Sequence, residues 1–238
     1  MRNDRLHIID NPVVRLMLAR VRPKDASRDE ARRWVRELYH LLTMEMINQL
    51  FLLREASVPT PLQTELGERG VWRGLVPNTQ TSVVVTAIAR GGLLPSDVVL
   101  DALTALGFEN ARMDILTMNR TTDATGHVNG VEIQGSKTGS TVNGAIVVYP
   151  DPMLATGGSL LRAVEHYASL PGTACWHVAL SLIAAPEGAE RFLNAIPNAH
   201  LFTGALDGGL TAYDYIWPGA GDMGNKLNGP SDAVIRSG

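Results

Sequence analysis

Residues 145–159 read Ala-Ile-Val-Val-Tyr-Pro-Asp-Pro-Met-Leu-Ala-Thr-Gly-Gly-Ser, or AIVVYPDPMLATGGS, and a helical pattern follows from Leu160 to Ser169. The first five residues form an apolar β-rich run. The turn behind them has the composition of an anion site. Gly157 and Gly158 let backbone amides converge, Thr156 and Ser159 add hydroxyl donors, and the next helix presents its positive N-terminal end. This accounts for a bound phosphate without identifying the molecule that carries it. Asp151, at the strand end, lies about where the hydroxyls of a sugar attached to that phosphate would be. A plain turn is the alternative reading of the loop considered alone. Pro150 has no N–H to give to a ladder, so the strand must end at Tyr149 or lie at an edge.

Outward from this loop the same rhythm recurs. Ser82–Ala89, Met113–Met118, Trp176–Ala184 and His200–Thr203 read as strands; Ser96–Leu106, closed by Gly107, and Ala189–Ala195 read as helices. Continuous apolar strands separated by helices indicate an α/β fold with a mostly parallel sheet covered on both faces, and ligands bind at the carboxyl ends of such strands. The first third reads as helical. Asn11-Pro12 caps a helix through Val13–Ala19, and Ser27 with Glu30 makes a capping box for a second, on which Trp34, Leu38, Leu41 and Leu42 recur at helical spacing. Glu45 continues that stripe and should meet an arginine or backbone amides. Residues 119–143, polar and rich in Thr, Gly and Ser, interrupt the pattern and read as an irregular active-site loop or a disordered segment. Residues 204–238 are glycine-rich with little periodicity. The division expected is a single domain over 1–238, with an N-terminal helical arm at 1–55, a flexible loop at 119–143 and a C-terminal recognition segment at 204–229.

Composition narrows the classes. With 238 residues, 45% of them hydrophobic, the chain can bury a sizeable core, and its formal charge of −3 argues against nucleic acid or an anionic membrane as partner. Basic residues cluster at Arg15, Arg20, Arg22, Lys24, Arg28, Arg32 and Arg33, which reads as a solvated helix surface. The single cysteine, Cys175, precedes an apolar run and reads as a buried thiol, leaving no intrachain disulfide or cysteine metal site. The N-terminal residues lack the apolar stretch of a signal peptide and no apolar run reaches the ~18 residues of a membrane span, so a cytoplasmic location is expected. The six histidines show no ligand spacing.

The stretch AIVVYPDPMLATGGS resembles the phosphoribosyl pyrophosphate motif of type I phosphoribosyltransferases, in the form found in uracil phosphoribosyltransferases, where one acid followed by proline replaces two adjacent acids. LSLIAAPEGAERF (180–192) and TGALDGGL (203–210) are similar to the family's next segments, and YIWPGAGDMG (215–224) to its uracil-recognition loop. Ala89-Arg90-Gly91-Gly92-Leu93 resembles its pyrophosphate loop, and NPVVRLMLARVR (11–22) its N-terminal arm. The likeness covers roughly residues 8 to 229. It implies the type I phosphoribosyltransferase fold, with a C-terminal hood over the base. It implies that Asp151 holds the ribose hydroxyls while Pro152, Met153, Leu154, Ala155, Thr156, Gly157, Gly158 and Ser159 form the motif around the 5-phosphate. Arg90 and Arg120 would neutralise departing pyrophosphate. Main-chain groups of Ile216, Gly221 and Met223 would read the pyrimidine edge, and Asp222 would act on the substrate through magnesium or water. Asp151, Arg90 and Asp222 are thus the catalytic candidates.

The implied reaction joins uracil to ribose 5-phosphate taken from phosphoribosyl pyrophosphate, with Mg²⁺ carried by the substrate and no directly assigned protein ligand. The same resemblance implies a homodimer or higher oligomer and a possible GTP effector. Three positions depart from the family pattern. The lid region reads VEIQGSKTG (131–139), keeping only Lys137, with Thr121 after Arg120 where an aspartate is usual; Trp217 replaces a small aliphatic residue; and Pro150 precedes Asp151 where a strand residue with a free N–H is usual. They leave open a different pyrimidine-like or azole base, or a non-catalytic nucleotide-binding homologue.

Overall fold

The computed structural model describes residues 4–122 and 128–230. In chain order its elements are β1 (Leu6–Ile8), α1 (Pro12–Val21), α2 (Arg28–Leu50), β2 (Leu53–Pro59), α3 (Gln63–Leu66), β3 (Val71–Pro77), β4 (Val83–Ala89), α4 (Leu93–Ala105), β5 (Ala111–Thr122) and β6 (Val128–Lys137). There follow β7 (Ile146–Pro150), β8 (Met153–Leu154), α5 (Gly158–Ala168), β9 (Trp176–Ala184), α6 (Pro186–Ala195), β10 (Ala199–Leu206), β11 (Gly209–Leu210), β12 (Ile216–Trp217) and α7 (Met223–Asn228).

The main sheet has the order β1-β10-β9-β7-β4-β5-β6, with β8 continuing alongside β9. Every pairing in it is parallel except β5 with β6. Alternate residues of the central strands serve the two faces. Val83, Val85, Ile146 and Val148 join the core beneath α1, α2 and α4, whereas Val84, Val147 and Tyr149 join the core beneath α5 and α6. Both faces are therefore dry, which explains why these strands read as unbroken apolar runs.

The chain runs outward from β4 to β5 and β6, then returns to the other side of β4 with β7 and runs outward again through β9 and β10. Strand order reverses between β4 and β7. In open α/β sheets the crevice for ligands lies outside the carboxyl ends of the strands at that reversal. Here the loops at that point carry Arg90, after β4, and Asp151, after β7.

Local signals at helix starts hold. Asn11 Oδ1 accepts from the amides of Val13 and Val14, each at 3.0 Å, with Pro12 opening α1. Ser27 and Glu30 form a reciprocal capping box. Pro150 belongs to β7, opposite Leu180 of β9, but β4 pairs with β7 only as far as Val148. The amide of Asp151 donates to Leu180, so by alternation the nitrogen of Pro150 faces the side where β4 has already left. No donor is needed there.

Several expectations are corrected. The first third is not wholly helical: β1 lies at the sheet edge against β10, and β2 and β3 form an antiparallel arm separate from the main sheet. β2 is mostly exposed and β3 exposed or half-buried, with no buried residue in either, so no core imposed a period on their sequence. Residues 119–143 are not irregular throughout. Strand β5 continues to Thr122 and pairs with β6, with register shifts at Thr117/Met118 and Thr121/Thr122 that mask the alternation. Glu45 accepts instead from Nε2 of Gln49 at 3.4 Å, because the buried face of α2 runs through Leu38, Leu42, Met46 and Ile47 beside it. Cys175 is exposed, lying in the turn before β9, where its amide donates to Ala145.

Candidate active site

The loop after β7 is held from below. Tyr39, fully buried on α2, donates its hydroxyl to the carbonyl of Leu180 at 3.1 Å, the same carbonyl that receives the Asp151 amide. Burial, and after it the nearby Asp151 carboxylate, push the Tyr39 phenol well above its ordinary pKa. Oδ1 of Asp151 accepts from the amide of Met153 at 3.3 Å, and Ser181 Oγ accepts from the amide of Leu154 at 3.2 Å. β8 then binds β9, so the chain turns back over Thr156 into α5.

Gly157 caps α5 at φ +75°, the left-handed region that a side chain would strain. An added Cβ would also lie 3.2 Å from the carbonyl of Gly188. Gly188 in turn sits on the loop from the α6 side: a Cβ there would stand 2.1 Å from the carbonyl oxygen of Ala155. Arg191 Nη1, also on α6, donates to the carbonyl of Thr156 at 3.2 Å. Cradle and α6 are thus built against each other. The sequence reading quoted PEGAERF without seeing why Gly188 must be glycine.

Arg90 follows a cis Ala89–Arg90 peptide, and Gly92 begins α4. A Cβ on Gly92 would meet the carbonyls of Ile88 and Pro150 at 2.8 and 2.9 Å, so the turns after β4 and β7 touch through this glycine. The Arg90 guanidinium donates to the carbonyl of Gly229.

The recognition segment contains the β11–β12 hairpin, a cis Trp217–Pro218 peptide, and glycines at 219 and 221 with φ of +58° and +75°. Asp207 Oδ2 accepts from the amide of Gly219 at 2.9 Å and from Arg22 Nη1 at 2.7 Å, and that nitrogen also donates to the carbonyl of Gly219 at 2.8 Å. Asp222 caps α7, with its oxygens 2.9 and 3.0 Å from the main-chain and side-chain nitrogens of Asn225. Arg22 therefore belongs to no simple solvated surface. With Arg32, which donates to Leu227, it holds the recognition segment onto the helical arm. The basic cluster and the aspartate of TGALDGGL were the available signals.

These loops enclose a cleft of about 500 Å³. Arg90, Asp151, Pro152, Met153, Ala155, Ser159, Ile216, Gly221, Asp222 and Met223 line it, and Leu154, Thr156, Gly157 and Gly158 line an adjoining hollow. Asp151, Met153, Ala155 and Ser159 border both. Arg120 pairs with Val131 in the β5–β6 ladder, but its side chain lies outside the described residues. Asn119 and Val131, both within the stretch 119–143 expected at the active site, line the cleft together with Met118, which the sequence reading missed. It also missed Asp214, which borders both hollows at φ +62°. Trp217 does not line the cleft. It is 52% exposed, and its ring covers Gly208, where a Cβ would lie 2.3 Å away.

The glycine turn after β7 and the arginine turn after β4 meet at the reversal point of a mostly parallel sheet, and the chain is a phosphoribosyltransferase, an enzyme that transfers a phosphoribosyl group from phosphoribosyl pyrophosphate to a base. The chain belongs to the uracil phosphoribosyltransferase family, whose model matches residues 8–229. It is 32% identical over 224 residues to the uracil phosphoribosyltransferase of Acidovorax ebreus, covering 94% of this chain and 98% of that one. It is 31% identical over the same length, with the same coverage, to the uracil phosphoribosyltransferase of Rhodococcus jostii. A solved protein from Aquifex aeolicus superposes with a TM-score of 0.77 at 28% identity, over 94% of this chain and 98% of that one. No helix among the described residues is long and apolar enough to cross a membrane.

Proposed function

We propose that the protein joins uracil to the 5-phosphoribosyl group of phosphoribosyl pyrophosphate, giving UMP and pyrophosphate in pyrimidine salvage. One observation carries this reading: Ala155 and Ser159, at the ends of the glycine turn, share a single cleft with Ile216, Gly221, Asp222 and Met223, and Asp151 lines both that cleft and the hollow of Thr156, Gly157 and Gly158. Uracil presents acceptor, donor and acceptor along one edge, which amide N–H, C=O and N–H groups complement. A cytosine-like edge would leave buried polar groups unpaired, a strong basis for rejection.

Cleavage of the ribose–pyrophosphate bond builds positive character on the sugar and negative charge on the leaving group. Asp151, bound to the ribose hydroxyls, orients the sugar, and the cradle fixes its phosphate so that the base nitrogen meets the anomeric carbon. Arg90 stabilises the leaving charge. Among the described residues no group of three or more His, Cys, Asp or Glu side chains forms a metal cage. The cleft does hold the carboxylates of Asp151 and Asp222, which suits Mg²⁺ bound mainly by substrate oxygens and only secondarily by these two residues. The ion would supply neutralisation of phosphate charge.

Two features favoured a different base, Trp217 and the changed lid, and the place of Trp217 outside the cleft weighs against the first. Leu53, Val58, Trp72 and Leu75 are all exposed on the β2–β3 arm, and this supports self-association through that arm.

The decisive experiment supplies phosphoribosyl pyrophosphate, Mg²⁺ and one base at a time, and measures pyrophosphate release. Uracil is expected to give the highest kcat/KM. Release only with another base would replace uracil as substrate. Binding of phosphoribosyl pyrophosphate without release for any base would establish a non-catalytic homologue.

A further inference from the structure

The turn carrying Arg90 and the segment carrying Ile216–Met223 are joined by a side chain that lines neither the cleft nor the cradle. Asn228, the last residue of α7, directs Nδ2 to the carbonyl of Arg90 at 3.0 Å and to the carbonyl of Gly224 at 3.1 Å. Both partners are acceptors. Only the amide nitrogen, with its two protons, can satisfy both, so the orientation of the carboxamide follows from its surroundings.

The bond to Gly224 stays within α7 and closes its last turn. The bond to Arg90 reaches 138 residues back along the chain. Beside it, the carbonyl of Gly229 accepts from the Arg90 guanidinium. Two consecutive residues thus hold Arg90, one at its main chain and one at its side chain. A guanidinium has five N–H donors, so a bond to Gly229 leaves others for the cleft that Arg90 lines.

The holding segment is itself fixed. Arg32 donates to Leu227 at 3.0 Å, and Lys226 Nζ donates to Val21 and Pro23 at 2.9 and 2.8 Å. Arg28 packs against Gly229, its Nη2 2.9 Å from where a Cβ would stand. A long cationic side chain loses rotamer freedom when it grips an anion, and a group already aimed loses less.

We propose that Asn228 is a positioning residue. It ties the turn of Arg90 to the recognition segment, so that the arginine facing the pyrophosphate is aimed by the same stretch of chain that reads the base. The inference rests on the phosphoribosyltransferase reading. Asn228 acts through Arg90, and its loss is felt only while Arg90 is present.

A double-mutant cycle tests this. Calorimetry measures the affinity for phosphoribosyl pyrophosphate with Mg²⁺ in wild type, Asn228→Ala, Arg90→Ala and the double variant. Asn228→Ala is expected to weaken binding about three- to tenfold, and to change it by less than about twofold when Arg90 is already alanine. Asn228 is exposed, so truncation leaves no cavity. Asn228→Asp, of nearly the same shape, sets carboxylate oxygens against two carbonyls and should weaken binding at least as much. An equal loss with and without Arg90, or unchanged affinity in both single Asn228 variants, overturns the proposal. A wild type that does not bind phosphoribosyl pyrophosphate overturns this proposal and the enzymatic reading together, whereas additive losses in a wild type that binds it overturn this proposal alone.

Discussion

Asp151 lines both the cleft and the adjoining hollow; its amide is held by Leu180 of β9, a carbonyl that Tyr39 of α2 also holds, and its carboxylate accepts from the amide of Met153. Asp151→Asn keeps that shape while removing charge-assisted bonds to the ribose hydroxyls, each worth roughly 1.5–3 kcal/mol. Turnover should fall at least about tenfold with the melting temperature little changed; kinetics like those of wild type would move the ribose elsewhere. Trp217 makes the opposite case. Its ring covers Gly208 outside the cleft, so Trp217→Val should lower stability yet leave the ratio of kcat/KM for uracil over a competing base within about twofold, far from the 10–200-fold of a true pocket change. A larger shift in that ratio would put the indole back in the pocket. At this scale the sequence was most readable where the chemistry is local. DPMLATGGS announces a cradle because nine consecutive residues build it. Gly188 and Asp214 gave no such notice, because what constrains them comes from residues far away in the chain: the carbonyl of Ala155 for the first, the meeting of two hollows for the second.

Elements were legible in proportion to the core they touch. β4, β7 and β9 are buried on both faces and read as apolar runs; the arm β2–β3, with no buried residue, was absorbed into a helical first third, and β6 fell within the stretch read as an irregular loop. The β7–β9 pair also carries a pH dependence. His177 is buried on β9, its Nδ1 2.8 Å from the hydroxyl of Tyr149 on β7, and burial pushes its pKa down to about 4. The unfolded chain takes up this proton near pH 6.5, the folded protein only near 4. Between those values the unfolded state holds more protons, so the term is absent above about pH 6.5 and costs stability progressively as pH falls, by at most roughly 3 kcal/mol. His200, also lowered to about 4 by burial first and then by His7 and Arg5, acts in the same sense. Urea midpoints measured from pH 7 to pH 4.5 should fall steeply for wild type and less steeply for His177→Gln. Parallel curves would mean that His177 is protonated in the fold.

Across the whole molecule, the recognition segment depends on a helical arm some 200 residues earlier. Arg22 pairs with Asp207, whose side chain is only 7% exposed, and the pair grips the Gly219 turn. None of this was legible, because a basic cluster looks the same in a sequence whether it faces water or a buried carboxylate. The arm β2–β3 bears on assembly. If its exposed Trp72 and Leu75 meet another copy of the chain, Leu75→Glu should yield a species of lower mass in sedimentation while circular dichroism stays unchanged. Equal masses for wild type and variant would exclude the arm as the contact.

The first strand has a consequence in time. Among the described residues β1 pairs only with β10, Leu6 beside Leu201, and its neighbour α1 hands Arg22 to Asp207. On a ribosome adding roughly 5–20 residues per second, residues 6–8 wait on the order of 10–40 s for the partner strand to be made. β9 and α6, which hold the loop after β7, are made just ahead of that partner. The segment from Asp207 to Leu227, held by Arg22 and Arg32, can dock only later still, when its own residues have been added some 200 positions after the arm that grips it.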